Sequence, residues 1–149
     1  MDPAKLEQAV DILTEADMIF LVGARRVFPV TTYLAYALAK MGVRCSLVDH
    51  IGQMGGEQIA CARRGDAVLA VSFTPYAQST VDLSAAAANS GVPVVAITDS
   101  VFSPLVANAR LWLEVAESDY GAFRSLAASM SLVMALAISI GERREGKAG

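Results

Sequence analysis

The sequence predicts an α/β fold: a five-stranded parallel sheet between two layers of helices. Three observations predict it. Short apolar runs recur five times, at residues 18–22, 44–48, 67–71, 92–97 and 111–115, each bounded by turn residues. Helical stretches separate most of them, and alternation of this kind argues a parallel sheet covered on both faces. Several runs, Ala67-Val68-Leu69-Ala70-Val71 above all, show no polar alternation, as expected of strands buried on both sides.

Taken in order, Asp2-Pro3 reads as a helix cap followed by proline in the first turn. Leu6, Ala9, Val10, Leu13 and Ala16 then repeat at helical spacing. Met18 to Val22 is the first strand, ending at Gly23. The loop Gly23 to Pro29 follows, and a helix from about Val30 to Met41, apolar nearly all round, stops at Gly42. Arg44 to Val48 is the second strand. A glycine-containing loop, Asp49 to Gly56, leads to a short helix, Glu57 to Arg63. Gly65-Asp66 turns the chain into the third strand, and the hydroxyl-rich loop 72–80 hands over to a small-residue helix, Val81 to Asn89. Val92 to Ile97 is the fourth strand, and Ser103-Pro104 opens a short helix to Ala109. Leu111 to Val115 is the fifth strand. A long helix is expected from Tyr120 to Ile140, with residues 142–149 a fraying charged tail. The domain is thus residues 1–141.

Composition narrows the function. The chain has 149 residues, 54% hydrophobic and only 18% charged, with a net charge of −3. That length supports one domain with a substantial core. No basic stripe is visible, so the chain by itself is not expected to grip nucleic acid. Cys45 and Cys61 show no metal or disulfide spacing and read as buried free thiols of a reducing, cytoplasmic environment. No signal peptide is expected at the N-terminus. The longest uncharged run, 125–141, falls short of a membrane span and reads as a buried helix. No metal or cofactor motif is present.

In an open parallel sheet, ligands bind beyond the carboxyl ends of the strands where the strand order reverses. With order 2-1-3-4-5 that point lies between strands one and three. It brings the loop Gly23–Phe28 opposite the loop Ser72–Ser79. Ser72, Thr74, Ser79 and Thr80 then stand where strand meets helix, and a helix start with hydroxyls beside it favours an anion. The same hydroxyls also serve as ordinary caps and turn formers.

These residues carry a resemblance. Val22-Gly23-Ala24-Arg25-Arg26-Val27-Phe28-Pro29 with Tyr33 to Leu38, the loop Ser72-Phe73-Thr74-Pro75-Tyr76, and Ala96-Ile97-Thr98-Asp99-Ser100 with Ser103-Pro104-Leu105 together resemble a sugar isomerase (SIS) domain. The wording is closest to the SIS domains of RpiR/MurR-family transcriptional regulators. The resemblance spans nearly all of residues 3–141. It implies a phosphosugar-binding α/β/α domain that forms dimers or tetramers, and that meets DNA only through an N-terminal helix-turn-helix domain absent from this chain. The phosphosugar-binding residues it implies are Gly23, Arg25, Arg26, Ser72, Thr74, Ser79 and Thr80. The family loop reads Ser-x-Ser-Gly-x-Thr-x-Glu-Thr. Here Ser72 and Thr80 match and Thr74 substitutes a hydroxyl, while Pro75, Ala77 and Ser79 depart, and Val27 stands where a serine is usual. Arg25 and Arg26 supply the charge that the lost hydroxyls do not. The pair could equally be solvated or bridge an interface.

The rival to a non-enzymatic sensor is an aldose–ketose isomerase, which needs a general base. His50, the only histidine, and Glu57 are the weak candidates, with Asp49 beside them. The alternative for all three is a polar loop next to a helix start. The final helix carries apolar residues on more than one side, as does the helix 30–41, so their surplus is expected to meet a second subunit.

Overall fold

The computed structural model describes residues 2–121 and 123–148. Helix α1 (Pro3–Glu15) starts as its sequence dictates: Asp2 Oδ1 accepts from Ala4 N at 2.9 Å, and proline occupies the first turn. The remaining elements are β1 (Ile19–Val22), α2 (Phe28–Lys40), β2 (Cys45–Val48), α3 (Gly55–Ala60), β3 (Ala67–Val71), α4 (Gln78–Asn89), β4 (Val94–Thr98), β5 (Leu111–Glu114) and α5 (Ala127–Ala148). All strand pairs are parallel, in the order β2-β1-β3-β4-β5.

The central strands β1, β3 and β4 are buried at every residue, which explains their apolar composition. Period-two alternation divides their side chains between two cores. Leu21, Leu69 and Ile97 face α1, α2 and α5, where Leu13, Leu34, Leu136 and Ile140 complete one core. Phe20, Val22, Val68 and Ala70 face α3 and α4, with Ile59, Leu83 and Ala87. The edge strands are only partly buried, and there Ser46 and Glu114 are tolerated.

Four expectations need correction. Helix α5 begins at Ala127, not Tyr120. A short hairpin precedes it, with an Asp119–Arg124 bridge and Gly121 at φ 81°. The helix starts where its N–H groups find acceptors. Glu117 Oε1 takes Ala128 N at 3.1 Å, Glu117 Oε2 takes Ser129 N at 2.8 Å, and Ser125 Oγ takes Ala127 N. At the other end, the helix runs to Ala148 and not to Ile140, and Gly149 lies outside the described residues. Arg143 pairs with Glu7 (2.7 Å) and Asp11, and Arg144 donates to the Ala16 carbonyl, so this end is tied to α1. The thiols are not both buried: Cys61 is exposed and Cys45 half-buried, where burial raises its thiol pKa. The helix expected from Ser103 is one 3-10 turn, Val106–Asn108. Among the described residues, no helix is long and apolar enough to cross a membrane.

Candidate functional site

The strand order reverses between β1 and β3, and the two exit loops meet there. After β1 the chain passes Gly23, where an added Cβ would lie 2.9 Å from Thr31 Cγ2. Close packing of Gly23 on α2 sets where the loop emerges. Arg25 takes a left-handed backbone (φ 59°), and a 3-10 turn, Arg25–Val27, feeds directly into α2. A non-glycine residue holds this backbone only where its surroundings impose it.

After β3, Ser72 continues the strand: its N–H donates to Ile97 O at 3.1 Å, and Thr98 Oγ1 donates to Ser72 O at 2.8 Å. Ser72 is 3% exposed, and its Oγ accepts from Ala77 N at 3.2 Å, which closes the loop onto the start of α4. Between them the Thr74 peptide is gripped from two sides. Asp99 Oδ2, at the exit of β4, accepts from Thr74 N at 2.9 Å. Arg26 Nη2 donates to Thr74 O at 2.8 Å. Asp99 Oδ1 also accepts from the Tyr76 hydroxyl, and Arg124 Nη1 stands 3.9 Å from the same carboxylate. Partial burial, then the Asp99 hydrogen bond, raises the Tyr76 pKa above the ordinary tyrosine value.

These loops enclose a cavity of about 310 Å³ lined by Ala24, Arg25, Arg26, Val27, Ser72, Phe73, Pro75 and Ala77. The size suits a small metabolite. The N-cap of α4, Ala77, has no side-chain cap, so the first-turn N–H groups of α4 carry the partial positive charge of a helix start at the rim. Of the seven sequence-selected residues, Arg25, Arg26 and Ser72 line this cavity. Gly23 is buried behind it. Thr74 has an exposed side chain and contributes its backbone. Ser79 is exposed on the first turn of α4, while Thr80 is fully buried with its hydroxyl unpartnered among the described residues.

His50 and Glu57 lie apart from the cavity lining. His50 follows β2 with a left-handed backbone, its ring packed on Gly55, and its N–H donates to Gln58 Oε1. Glu57 is exposed on the first turn of α3. Asp49 accepts from Gln58 Nε2 at 2.8 Å and from Ile51 N at 3.1 Å, and these bonds lower its pKa. Asp49 and Gln58 thus tie this loop to the start of α3 by hydrogen bonds. Sequence reasoning missed the clasp role of Asp99, which it named only within the segment Ala96-Ile97-Thr98-Asp99-Ser100. The signal was its place at the β4 exit, next to the switch point.

A family model described as the SIS domain matches residues 12–139. Among solved structures, the sugar isomerase domain of an RpiR transcription factor from Sphaerobacter thermophilus is 30% identical, with a TM-score of 0.90 over 99% of this chain and 82% of that one. The NanR protein of Vibrio vulnificus, solved with ManNAc-6P, is 24% identical, with a TM-score of 0.85 over 99% of this chain and 57% of that one. A phosphoheptose isomerase from Neisseria gonorrhoeae shares the fold at 14% identity, with a TM-score of 0.75 over 97% and 86%. The fold, the switch-point cavity and these matches place the chain in one family: it belongs to the SIS-domain family, and its RpiR-type likeness extends over nearly the whole chain.

Proposed function

We propose that this chain is the phosphosugar-sensing effector domain of an RpiR-type transcriptional regulator, and that it binds its ligand without transforming it. The observation that carries this reading is the cavity lining: two guanidinium groups and a nearly buried serine, with no carboxylate or imidazole among those residues. Such a wall holds an anion and offers no general base. The NanR structure with ManNAc-6P and the RpiR domain lend support from related proteins. In this reading the domain works in the cytoplasm and reaches DNA through a helix-turn-helix domain on the same polypeptide.

The test is a thermal-shift panel of phosphosugars with Ser72→Ala beside the native protein. A binder raises the melting temperature in proportion to RT ln(1 + [L]/Kd), and Ser72→Ala weakens the rise. A panel without any rise refutes the reading. The alternative is a sugar-phosphate aldose–ketose isomerase, favoured by the shared fold of phosphoheptose isomerase. Turnover that disappears in His50→Ala or Glu57→Gln would establish it.

Self-association belongs to the same proposal, as a homodimer or tetramer. Leu132, Leu136 and Ile140 of α5 are buried within one subunit, so the apolar surplus is smaller than the sequence suggests. What remains exposed is Tyr33 and Tyr36 on α2 and Met134 and Ile138 on α5. Sedimentation equilibrium reads the mass, and a monomer at micromolar concentration refutes this part.

A further inference from the structure

We propose that the ligand is a phosphorylated sugar acid, with its phosphate at Ser72 and the start of α4 and its carboxylate on Arg25. This rests on the phosphosugar reading of the cavity and adds a second anionic group to the ligand. The two arginines of the wall are not equivalent. Arg26 is committed: its Nη2 holds the Thr74 carbonyl, and it also borders a second, smaller cavity where Asp99, Glu117 and Arg124 stand. Arg25 is exposed and its side chain has neither hydrogen bond nor ion pair to any described residue, yet it lines the 310 Å³ cavity from a left-handed backbone.

The other wall already satisfies a phosphate. The Ser72 side chain is nearly buried and faces the cavity. Its oxygen accepts from Ala77 N, and its own proton has no acceptor among the described residues. Beside it α4 starts at Gln78 without a side-chain cap, its Thr80 N–H bonded to Ala77 O. Hydroxyl, N–H groups and helix dipole together make a phosphate seat. Arg25, on the loop from β1, is left for a different anion. Its planar fork matches a carboxylate by two parallel hydrogen bonds. A neutral sugar phosphate would leave that charge without a counterpart.

Matched ligands test this. Calorimetry compares 6-phosphogluconate with glucitol 6-phosphate, which differ only in carboxylate against CH2OH, together with the five-carbon pair and unphosphorylated gluconate. In the better-bound chain length, the acid should bind at least tenfold tighter than its neutral partner. Arg25→Gly, which suits the left-handed backbone and so preserves the loop, should bring the two to within about twofold, with the acid losing most of its affinity. Arg25→Ala should behave alike and melt as a folded protein. Equal binding of acid and neutral phosphates to the native chain overturns the proposal. So does an Arg25→Gly variant that loses both by one factor, because Arg25 would then hold the phosphate. If none of the phosphates binds, the phosphosugar reading falls first and takes this one with it.

Discussion

Gly23→Ala probes how the site is held in place. The added Cβ would lie 2.9 Å from Thr31 Cγ2, 3.3 Å from Thr31 Oγ1 and 3.4 Å from Val27 Cγ2. Ordinary carbon contacts sit at about 3.5–4.0 Å, so Thr31 must retreat by more than half an ångström. It has little freedom to do so. Thr31 is fully buried and β-branched, and its Oγ1 donates to Phe28 O at 3.1 Å. Overpacking of this kind costs about 1–3 kcal/mol. The left-handed region is not required at Gly23, so alanine recovers about 0.4–1 kcal/mol through the unfolded chain. The net loss is about 1–2 kcal/mol, and at this chain length each kcal/mol lowers Tm by about 2–4 °C. Thermal melts at fixed protein concentration should therefore show a drop of about 2–8 °C. Thr31→Ser removes the methyl that clashes. Alone it should cost about 1 kcal/mol, as loss of a buried methyl does. Combined with Gly23→Ala it should cost nothing further or restore stability, a coupling on the order of 1 kcal/mol. A Gly23→Ala protein that melts with the native one, or strictly additive single changes, would refute the close-packing account of the β1 exit.

Two further outcomes follow from the loops around the cavity. Glu117→Ala strips the acceptor from two N–H groups and one hydroxyl at the start of α5, so stability should fall by about 1–2 kcal/mol in urea denaturation, and an unchanged midpoint would remove Glu117 as the cap. Tyr76 holds its proton more tightly folded than unfolded, so its contribution is complete below the ordinary tyrosine pKa and fades as pH rises through the folded value. The stability gap between the native protein and Tyr76→Phe should therefore narrow as pH rises past about 10, and a gap that widens contradicts the Asp99–Tyr76 pairing.

Strand positions were readable because burial on both faces forbids charge: the run 67–71 coincides with β3, and alternation with helices argues the parallel sheet, whose order β2-β1-β3-β4-β5 is the one assumed for the switch point. Helix starts were less readable. Val81 was expected to open α4, but Gln78 does, because Ser72 Oγ takes the Ala77 N–H from five residues upstream. Tyr120 was expected to open α5, but the start waits for Glu117, eleven residues before Ala128. In both cases the deciding acceptor lies outside the helix, where periodicity carries no information. The fate of residues 142–148 was set at still longer range, by Glu7 and Asp11 on α1.

Arg25 and Arg26 show the same limit at the site itself. As neighbours with the same charge they read from sequence as one anion-binding pair. The left-handed backbone at Arg25 and the helical turn that follows send the two side chains to different tasks. Arg26 spans to Thr74, 48 residues on, and becomes part of the scaffold that shapes the cavity. Thr74 is held on its other edge by Asp99, 25 residues further along. One residue, Thr74, thus ties the exits of β1, β3 and β4 together with a cation on its carbonyl and an anion on its N–H. Loss of either charge would leave a polar group of the loop without its partner, and the cost would fall on the shape of the cavity wall. The Arg25 side chain takes no part in that scaffold and stands exposed on the cavity wall.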